Sequence, residues 1–355
     1  MLATGEPSGA GGREVTLSFY GQGRFEGQDH VLRTTFLPAE SQDAVRREMV
    51  RMISIGLVPY ASQTDAVGQL AVTLQRRPNT APLQQTDDPW NRWSFRLQMS
   101  GNASGERTSK NAQINTNVSA NRTTADLKMN FSSRFSYRQS TFTLPDGRQF
   151  ISPNRDYGVN GLMARTINGH WSFGTRASYN ASTFSNLDSA WYVAPAIEYD
   201  IFPYSESTRR IFTLQYSAGV RAFTYNERTI YNKLEEMRGA HVFASNVNVR
   251  QRWGTIGASF EARSYLPEVG LNSVGGFGDI SLNIYRGLSF SFGTSIESIR
   301  DQLFLRAAEV TTEEVLVRQR QLATRYRYQI FFGAAYTFGS IFSQVVNPRL
   351  SSGGF

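Results

Sequence analysis

The chain of 355 residues contains no cysteine and only three histidines. The lack of cysteine excludes disulfide bonds, thiolate metal sites and cysteine nucleophiles. His30, His170 and His241 are far apart in the sequence and show no His-x-x-x-His spacing, so the sequence predicts no zinc site. We therefore expect no metal and no other cofactor.

Long apolar runs and charged residues are also scarce. A helical membrane bundle needs segments of about 20 apolar residues, and the chain has none. Charged residues make up 19% of the chain and hydrophobic residues 40%, whereas aromatic residues reach 13%. An uncharged polar background with many aromatic residues is typical of β-structure, in particular of a β-barrel with a wet interior and a lipid-facing exterior.

The chain begins without an export signal. Residues 1–5 contain neither a basic n-region nor an apolar h-region. Residues 1–4 instead have the pattern of the end of a strand that pairs with residues 14–20. We therefore expect the chain to be a fragment that lacks its signal peptide and the beginning of its first strand.

Lysine is nearly absent, so arginine carries the basic charge. The net charge is +8, and only Lys110, Lys128 and Lys233 are lysines. A basic chain can bind nucleic acid or anionic lipid. The arginines, however, are spread singly or in pairs rather than clustered. We interpret them as solvated or ion-paired residues and expect no nucleic-acid partner.

A small α/β module of β-β-α-β order is predicted at the start of the chain. Alternating apolar residues predict strands over residues 14–20 and 30–36. Ser41 is a suitable N-cap for a helix that ends before a C′ glycine at Gly56. Residues 70–75 predict a third strand. Because strands flank the helix, we expect it to pack on a short sheet rather than on a membrane surface.

The composition divides the chain into four parts. Residues 1–75 form the small module, and residues 76–89, with three prolines among polar residues, form a linker. Residues 90–340 contain the long alternating strands of a barrel domain. Residues 341–355 form a carboxy-terminal tail.

Apolar and polar residues alternate over long stretches in the barrel domain. Trp93, Phe95 and Leu97 alternate with Ser94 and Arg96, which is the pattern of a strand with one apolar face. The predicted fold class is mainly β: an antiparallel up-and-down transmembrane β-barrel of about twelve strands, an even number as in single-chain bacterial barrels. The predicted strands cover residues 93–100, 114–120, 127–138, 156–167, 170–183, 190–202, 209–226, 238–252, 255–267, 274–285, 288–301 and 324–338.

The predicted connections sort by length. Those after even-numbered strands are short, such as 121–124 and 168–169, whereas most of those after odd-numbered strands are longer, such as 141–155 and 302–323. Transmembrane barrels have short periplasmic turns and longer extracellular loops. The sequence therefore predicts a bacterial outer-membrane protein with both termini in the periplasm.

The polar phase of the strands carries charged residues that we expect to line a lumen. This phase contains ten cationic and six anionic residues. Two interpretations stay open: a lumen packed by an arginine–carboxylate network, because buried charges must pair, or a basic pore that favours anions. The predicted lumen-lining residues are Arg96, Lys128, Arg134, Arg138, Arg176, Arg221, Arg250, Arg263, Arg325, Arg327, Asp126, Glu198, Asp200, Glu261, Asp279 and Glu297.

Four short segments carry a resemblance to known proteins. Residues 202–210, 299–303, 320–324 and 346–349 read FPYSESTRR, IRDQL, RQLAT and VNPR. With these segments, residues 90–350 resemble a group of uncharacterised Gram-negative outer-membrane barrel proteins. The resemblance implies the barrel fold and contact with outer-membrane lipid, and it transfers no active site.

The end of the last predicted strand resembles the terminal signal read by the outer-membrane barrel insertion machinery. Gly333 is followed by Tyr336 and Phe338 at positions +3 and +5. The usual signal ends the chain on the aromatic residue, whereas 17 residues follow Phe338 here. The resemblance implies the insertion machinery as a partner.

Three functions follow as hypotheses. The first is a non-enzymatic barrel, either a narrow pore for small polar or anionic solutes or a structural envelope component. The second is an envelope assembly or secretion partner that binds a periplasmic protein through the small module. The third is a rim hydrolase that uses His241 near Glu235 and Glu236, although His241 shares its phase with Phe243 and is expected to face lipid. Residues 302–323 are predicted either to fold inward as a constriction or to cap the barrel outside.

Overall fold

The computed structural model describes residues 1–8, 11–69, 88–144, 147–251, 253–285, 287–307 and 324–339. These residues form a three-stranded sheet, one α-helix and a twelve-stranded sheet, joined by turns and short 3-10 helices. The protein is therefore mainly β, as predicted. No helix in the described ranges is long and apolar enough to cross a membrane.

The amino-terminal sheet pairs three strands antiparallel in chain order. They are β1 (Leu2–Pro7), β2 (Arg13–Phe19) and β3 (His30–Phe36). The two predicted strands are confirmed, the first with its bounds shifted by one residue, and so is the pairing of the first residues with β2. The observed order is β-β-β-α, because the helix follows β3. The strand predicted over residues 70–75 lies outside the described residues.

The helix α1 (Gln42–Ala61) begins as predicted but ends later. The Ser41 hydroxyl accepts a hydrogen bond from the Ala44 N–H at 3.2 Å, which satisfies one free donor of the first turn. The predicted end at Gly56 is wrong. Gly56 is buried within the helix, and a Cβ atom at this position would lie 2.0 Å from Cζ of Phe19. The glycine therefore permits close packing of α1 on β2 instead of ending the helix.

A small apolar core lies between α1 and the amino-terminal sheet. Leu17 and Phe19 of β2 are buried there together with Phe36 of β3 and Met52 of α1. On β2 the core residues Val15, Leu17 and Phe19 alternate with polar residues, so one face of the strand supplies most of the core. The helix thus covers the apolar face of this sheet.

The twelve-stranded sheet is a continuous antiparallel meander in which each strand pairs with the next in the chain. The predicted number of strands is confirmed. The strands are β4 (Trp93–Gly105), β5 (Ser109–Thr123), β6 (Leu127–Thr143), β7 (Gln149–Thr166), β8 (Trp171–Ser182), β9 (Leu187–Asp200), β10 (Arg210–Tyr225), β11 (Glu235–Gln251), β12 (Gly254–Leu266), β13 (Asn272–Tyr285), β14 (Leu288–Ile299) and β15 (Tyr326–Tyr336).

Several strands are longer than the sequence predicted, and this weakens the sorting of loops by length. The loop predicted over 141–155 shrinks to residues 144–148, because β6 and β7 continue as a regular ladder on both sides. The turn at 201–209, expected to be short, is as long as the loop at 226–234. Polar residues at strand ends pair in the ladder as readily as apolar ones, so polarity alone placed these loop bounds wrongly.

The sheet has two edges within the described residues. There β4 pairs only with β5, and β15 pairs only with β14. Both edge strands are exposed along nearly their whole length. Since twelve is an even number, the two edge strands run in opposite directions.

Candidate functional site

The strand register divides the large sheet into two chemically different faces. On one face Arg221 of β10 lies directly between Tyr192 of β9 and Arg238 of β11. On the other face Val220 of β10 lies beside Val193 of β9. We call the face of Arg221 the inner face, because its side chains surround a cavity described below, and the face of Val193 the outer face.

The predicted lumen-lining residues share one face of the sheet. Fourteen of them lie on the inner face through an unbroken chain of cross-strand pairs. Asp126 lies in the turn before β6, and Arg325 precedes β15, where its carbonyl accepts the Ile299 N–H. The alternation of residues along each strand therefore predicted correctly which side chains share a face of the sheet. That this face encloses a lumen stays a prediction.

The inner-face charges pair only in part. Arg263 donates to Glu261 at 2.6 Å and lies 3.8 Å from Asp301, and Arg327 lies 4.0 Å from Glu297. The other described contacts of inner-face arginines include neutral amides. Arg176, for example, donates to the Gln215 side chain, which in turn bonds Glu198.

A row of amide side chains on β5 was not singled out in the sequence. Arg138 donates to Gln113 at 2.9 Å, Ser136 donates to Asn115 at 2.9 Å, and Ser140 donates to Asn111 at 3.1 Å. These β5 residues stand at every second position, so the alternating Asn-x-Gln-x-Asn pattern was a usable signal. On β5 this part of the inner face is a row of uncharged amides that hydrogen-bond to serine hydroxyls and to the Arg138 guanidinium of β6.

An aromatic cluster on the inner face contradicts the expectation that this phase is mainly polar. Its buried members on the sheet lie on β9 to β12, towards one end of the sheet, which we call the distal end. They exclude water there because Leu303, which is only 1% exposed, packs among them. The cluster consists of Ala190, Tyr192, Ala194, Phe223, Tyr225, Ala240, Val242, Tyr265 and Leu303.

The segment that supplies Leu303 folds onto the inner face. We call residues 301–307 the inserted segment. Its backbone is held by the bond from the Ile230 N–H to the Leu305 carbonyl at 2.8 Å. The Asn186 amide also donates to the Phe304 carbonyl at 3.1 Å. Of the two alternatives for the loop 302–323, the described part thus folds inward; residues 308–323 lie outside the described residues.

A cavity of about 270 Å³ lies on the inner face beside the aromatic cluster. Its lining includes Asn130 of β6 and Glu261 of β12, which are six strands apart in the sheet. Neighbouring strands lie about 4.8 Å apart, so a flat sheet would separate these residues by roughly 29 Å. The sheet is therefore strongly curved, and opposite walls meet across a narrow space.

A second cavity of about 380 Å³ adjoins the first. The two share Arg176 and Glu261, and the second extends to Phe277 of β13. Together they form a groove across eight strands of the inner face. The groove combines guanidinium, carboxylate and amide groups with aromatic rings.

The opposite end of the sheet, which we call the proximal end, contacts the amino-terminal sheet. The Arg250 guanidinium of β11 forms an ion pair with Glu6 of β1. The turn between β9 and β10 lies at this end, and there Arg209 and Arg210 both donate to Glu206. The hydrogen bond from Arg210 is the main cause that holds the pKa of Glu206 below its usual range.

The histidines are not arranged as a catalytic or metal site. His30 stacks on Phe19 at 4.8 Å in the amino-terminal core, and His170 contacts the Asp200 carbonyl at 2.6 Å. His241 lies on the outer face opposite Ser264 of β12. The Ser264 hydroxyl, however, donates to the Val269 carbonyl at 3.3 Å. Within the described ranges, no group of His, Asp and Glu could hold a metal ion.

The residues of the insertion-signal pattern lie at the end of β15. Gly333 lies on the inner face opposite Ser291, and Tyr336 lies on the outer face opposite Leu288. The rings of Tyr336 and Phe338 stack at 5.4 Å. The aromatic residues therefore form one patch beside the end of the last strand, and their recognition by the insertion machinery stays a prediction.

Comparison with known proteins leaves the family open. No protein-family model matches the chain, and no curated protein sequence is similar to it. Among solved structures, the crystal structure of the NanC porin is similar with a TM-score of 0.33 and 8% sequence identity. The match covers 68% of this chain and 99% of that one. At this distance no property of that porin transfers to the present chain.

Proposed function

We propose that this chain is a non-enzymatic outer-membrane β-barrel with a narrow passage for small polar or anionic solutes. One observation carries the proposal: a single long sheet exposes an apolar face on one side and gathers charged and amide groups around a curved interior on the other. Water stabilises only the second face. The first face requires lipid or a protein partner.

The outer face suits a lipid bilayer in size and composition. Its strands contain 11 to 18 residues, and a membrane-spanning strand needs about 9–11. Leu97, for example, is 74% exposed. Aromatic pairs stand near both ends, with Trp171 against Tyr199 at the proximal end and Tyr179 against Trp191 at the distal end. Aromatic girdles at both interfaces are typical of such barrels.

The edge strands support closure of the sheet. In a bilayer, unpaired backbone N–H and C=O groups cost several kcal/mol each, so spanning sheets close into barrels. The edges β4 and β15 run antiparallel and are both exposed. We therefore propose that they pair with each other in the membrane and make the curved sheet a barrel.

The inner face supports a passage that is narrow and biased towards anions. Rings of arginine select anions in pores, and arginine dominates the charges of this face. The inserted segment and the aromatic cluster fill part of the distal end. Twelve strands lie between the filled barrels of eight strands and the open channels of sixteen.

The orientation proposed for the chain places the proximal end in the periplasm. The amino-terminal sheet stands at this end through the Glu6–Arg250 pair. The longest connection between strands of the large sheet, from β14 to β15, begins and ends at the other end. Periplasmic turns of barrels are short, and extracellular loops are longer. Both termini would then be periplasmic.

Two measurements test the proposal. Heat-modifiable gel migration of protein extracted in detergent is expected, because a closed barrel resists unfolding by detergent until it is boiled. Reconstitution in planar bilayers should give small, stable conductance steps with a reversal potential shifted towards that of chloride in a KCl gradient. Extraction without detergent would reject the barrel; a folded barrel without conductance would leave a structural envelope component.

A second function is favoured by the amino-terminal sheet. It has its own core, and α1 exposes Val50 and Leu57 on its surface. An envelope assembly or secretion partner would use this module to bind a periplasmic protein. Capture from periplasmic extract by the intact chain, compared with the Val50→Lys/Leu57→Lys variant, tests it; identical captured proteins would contradict it.

A further inference from the structure

The cavity beside the aromatic cluster has an excess of positive charge on its walls. Arg176, Arg221 and Arg263 line it, whereas Glu261 is the only carboxylate among its lining residues. Glu261 is engaged by Arg263 at 2.6 Å. Arg263 also lies 3.8 Å from the carboxylate of Asp301, which does not line the cavity. The positive charge that remains unbalanced is centred on Arg176 and Arg221.

Arg221 is held in one orientation by neutral aromatic groups. Its guanidinium carbon lies 4.7 Å from the ring centre of Tyr192 and 5.9 Å from that of Tyr265. Its Nη1 donates to the Tyr265 hydroxyl at 3.1 Å. Cation–π contacts of this kind fix a guanidinium without neutralising its charge. Within the described residues, this guanidinium has no other hydrogen-bond partner.

No carboxylate described in the structure pairs with Arg221. The residue opposite it on β11 is another cation, Arg238, whose charge is satisfied by Glu236 at 2.6 Å and Glu268 at 3.4 Å. The Nε atoms of Arg221 and Arg263 are buried without a hydrogen-bond partner in the described chain. Arg221 is half-buried, and withdrawing a charge from water without a counter-charge is costly. This arrangement around Arg221 therefore favours an anionic ligand.

We infer that this cavity is a binding site for the oxyanion group of a small solute, with Arg221 as its central ligand and Arg176, two strands away on β8, as the second. A planar guanidinium fork matches carboxylate and phosphate oxygens. The inference deepens the proposed passage and rests on it, because the site would be reached through the lumen. It names the solute class as carboxylates or phosphates rather than simple halides.

Calorimetric titration of the full chain in detergent tests the site without requiring a conducting pore. Inorganic phosphate and acetate are the probes, and chloride is the reference anion. We expect phosphate and acetate to bind and chloride to bind at least tenfold more weakly. Arg221→Gln should weaken phosphate binding by about tenfold or more, the size expected for a lost charge-assisted hydrogen bond. A phosphate-only or acetate-only result would identify the oxyanion.

The matched control is Arg96→Gln, which removes the same charge from an exposed inner-face position on β4. It should change phosphate affinity by less than about twofold. Equal losses in both variants would overturn the inference in favour of diffuse electrostatic attraction, and so would an absence of phosphate and acetate binding by the unaltered chain. A chain that binds phosphate but does not conduct would contradict the passage and leave the site standing.

A second variant covers the case in which Arg221→Gln fails to fold, as judged by heat-modifiable migration. Arg176→Gln removes the second guanidinium, whose described partner is a neutral amide. It should weaken phosphate binding by about fivefold or more, and an unchanged affinity would overturn the inference. Arg221→Lys keeps the charge but loses the planar fork, so binding between the two extremes is expected.

Discussion

The two sheets of this protein use the same alternating pattern but treat their apolar faces differently. In the amino-terminal sheet, Leu17 and Phe19 are buried because α1 lies across them. In the twelve-stranded sheet, Val193 points to the corresponding outer face and is 52% exposed, since no described helix covers that face. The contrast shows that the alternation of apolar and polar residues determines which face of a sheet is apolar. The surroundings decide whether that face contacts a helix or, as we propose, lipid.

The largest loss of stability is expected in the amino-terminal sheet, where α1 covers the apolar face. Leu17→Ala should destabilise the amino-terminal sheet by about 4 kcal/mol, because Leu17 is fully buried and its truncation leaves a cavity. Hydrogen exchange of the β2 amides measures this loss. Val31→Ala, at an exposed position of β3, is the control and should change stability by less than about 0.5 kcal/mol. Equal effects would contradict the one-sided core.

A slightly smaller effect is expected on the outer face of the large sheet. Val193→Arg, in the middle of β9, should cost about 3 kcal/mol in lipid vesicles, the cost of arginine at the bilayer midplane. Unfolding in urea, followed by tryptophan fluorescence, measures it, since all five tryptophans lie between residues 90 and 253.

The matched control for that substitution is Val50→Arg on α1. Val50 is 59% exposed, close to the exposure of Val193, but it faces water. The change should alter the free energy of unfolding of the amino-terminal sheet by less than about 0.5 kcal/mol. If Val193→Arg changed the free energy of unfolding equally little, the outer face would be a water-exposed surface and the membrane proposal would be wrong.

The first turn of α1 gives a third test. Ser41→Ala removes the side-chain acceptor of the Ala44 N–H and should cost about 1 kcal/mol. The loss should appear in hydrogen exchange of α1 and leave the tryptophan-detected unfolding unchanged. Coupled losses in both measurements would show that the two sheets unfold as one unit.

A smaller, pH-dependent effect is expected at the turn between β9 and β10. Because Arg210 and Arg209 lower the pKa of Glu206, the ionised carboxylate stabilises the fold above its unfolded pKa. This contribution is lost as the pH falls through the lowered folded pKa. Glu206→Gln should therefore be less stable than the unaltered chain at pH 7 and equally stable at strongly acidic pH. A constant difference across this range would contradict the ion pairs.

The smallest effect is expected at His241. Its cross-strand neighbour Ser264 bonds a backbone carbonyl instead of the imidazole, so no activated nucleophile is formed. His241→Ala should leave any lipid or peptide hydrolysis by the purified chain unchanged. A loss of hydrolysis specific to this variant would revive the rim hydrolase.

Much of the sheet was predictable from the sequence because period-two alternation is a local property. The inner-face positions of Arg96 and Arg221 followed from their neighbours alone, and so did the number of strands. The ends of β6 and β7 on either side of the loop at 144–148 were missed, because polar strand ends pair without leaving an apolar signal. Gly56 was assigned as a helix end, because its contact with Phe19 depends on a strand nearly forty residues away in the chain.

The candidate site was predictable only in its charges. The arginines that line the cavity were identified, but the pairing of Arg221 with two tyrosines was not, since Tyr265 lies two strands away from it. The inward fold of the inserted segment was one of two open alternatives. Its anchoring bonds join loops that are more than seventy residues apart, such as the bond from Ile230 to Leu305.

The sequence by itself determined the fold class, the number of strands and the chemical character of each face, because these depend on neighbouring residues and on the period of the strand. The tertiary structure alone decided which charges stay unpaired, where aromatic rings replace polar groups on the inner face, and how far the sheet curves. These properties arise from contacts between strands and loops distant in the chain, and no local pattern encodes such contacts.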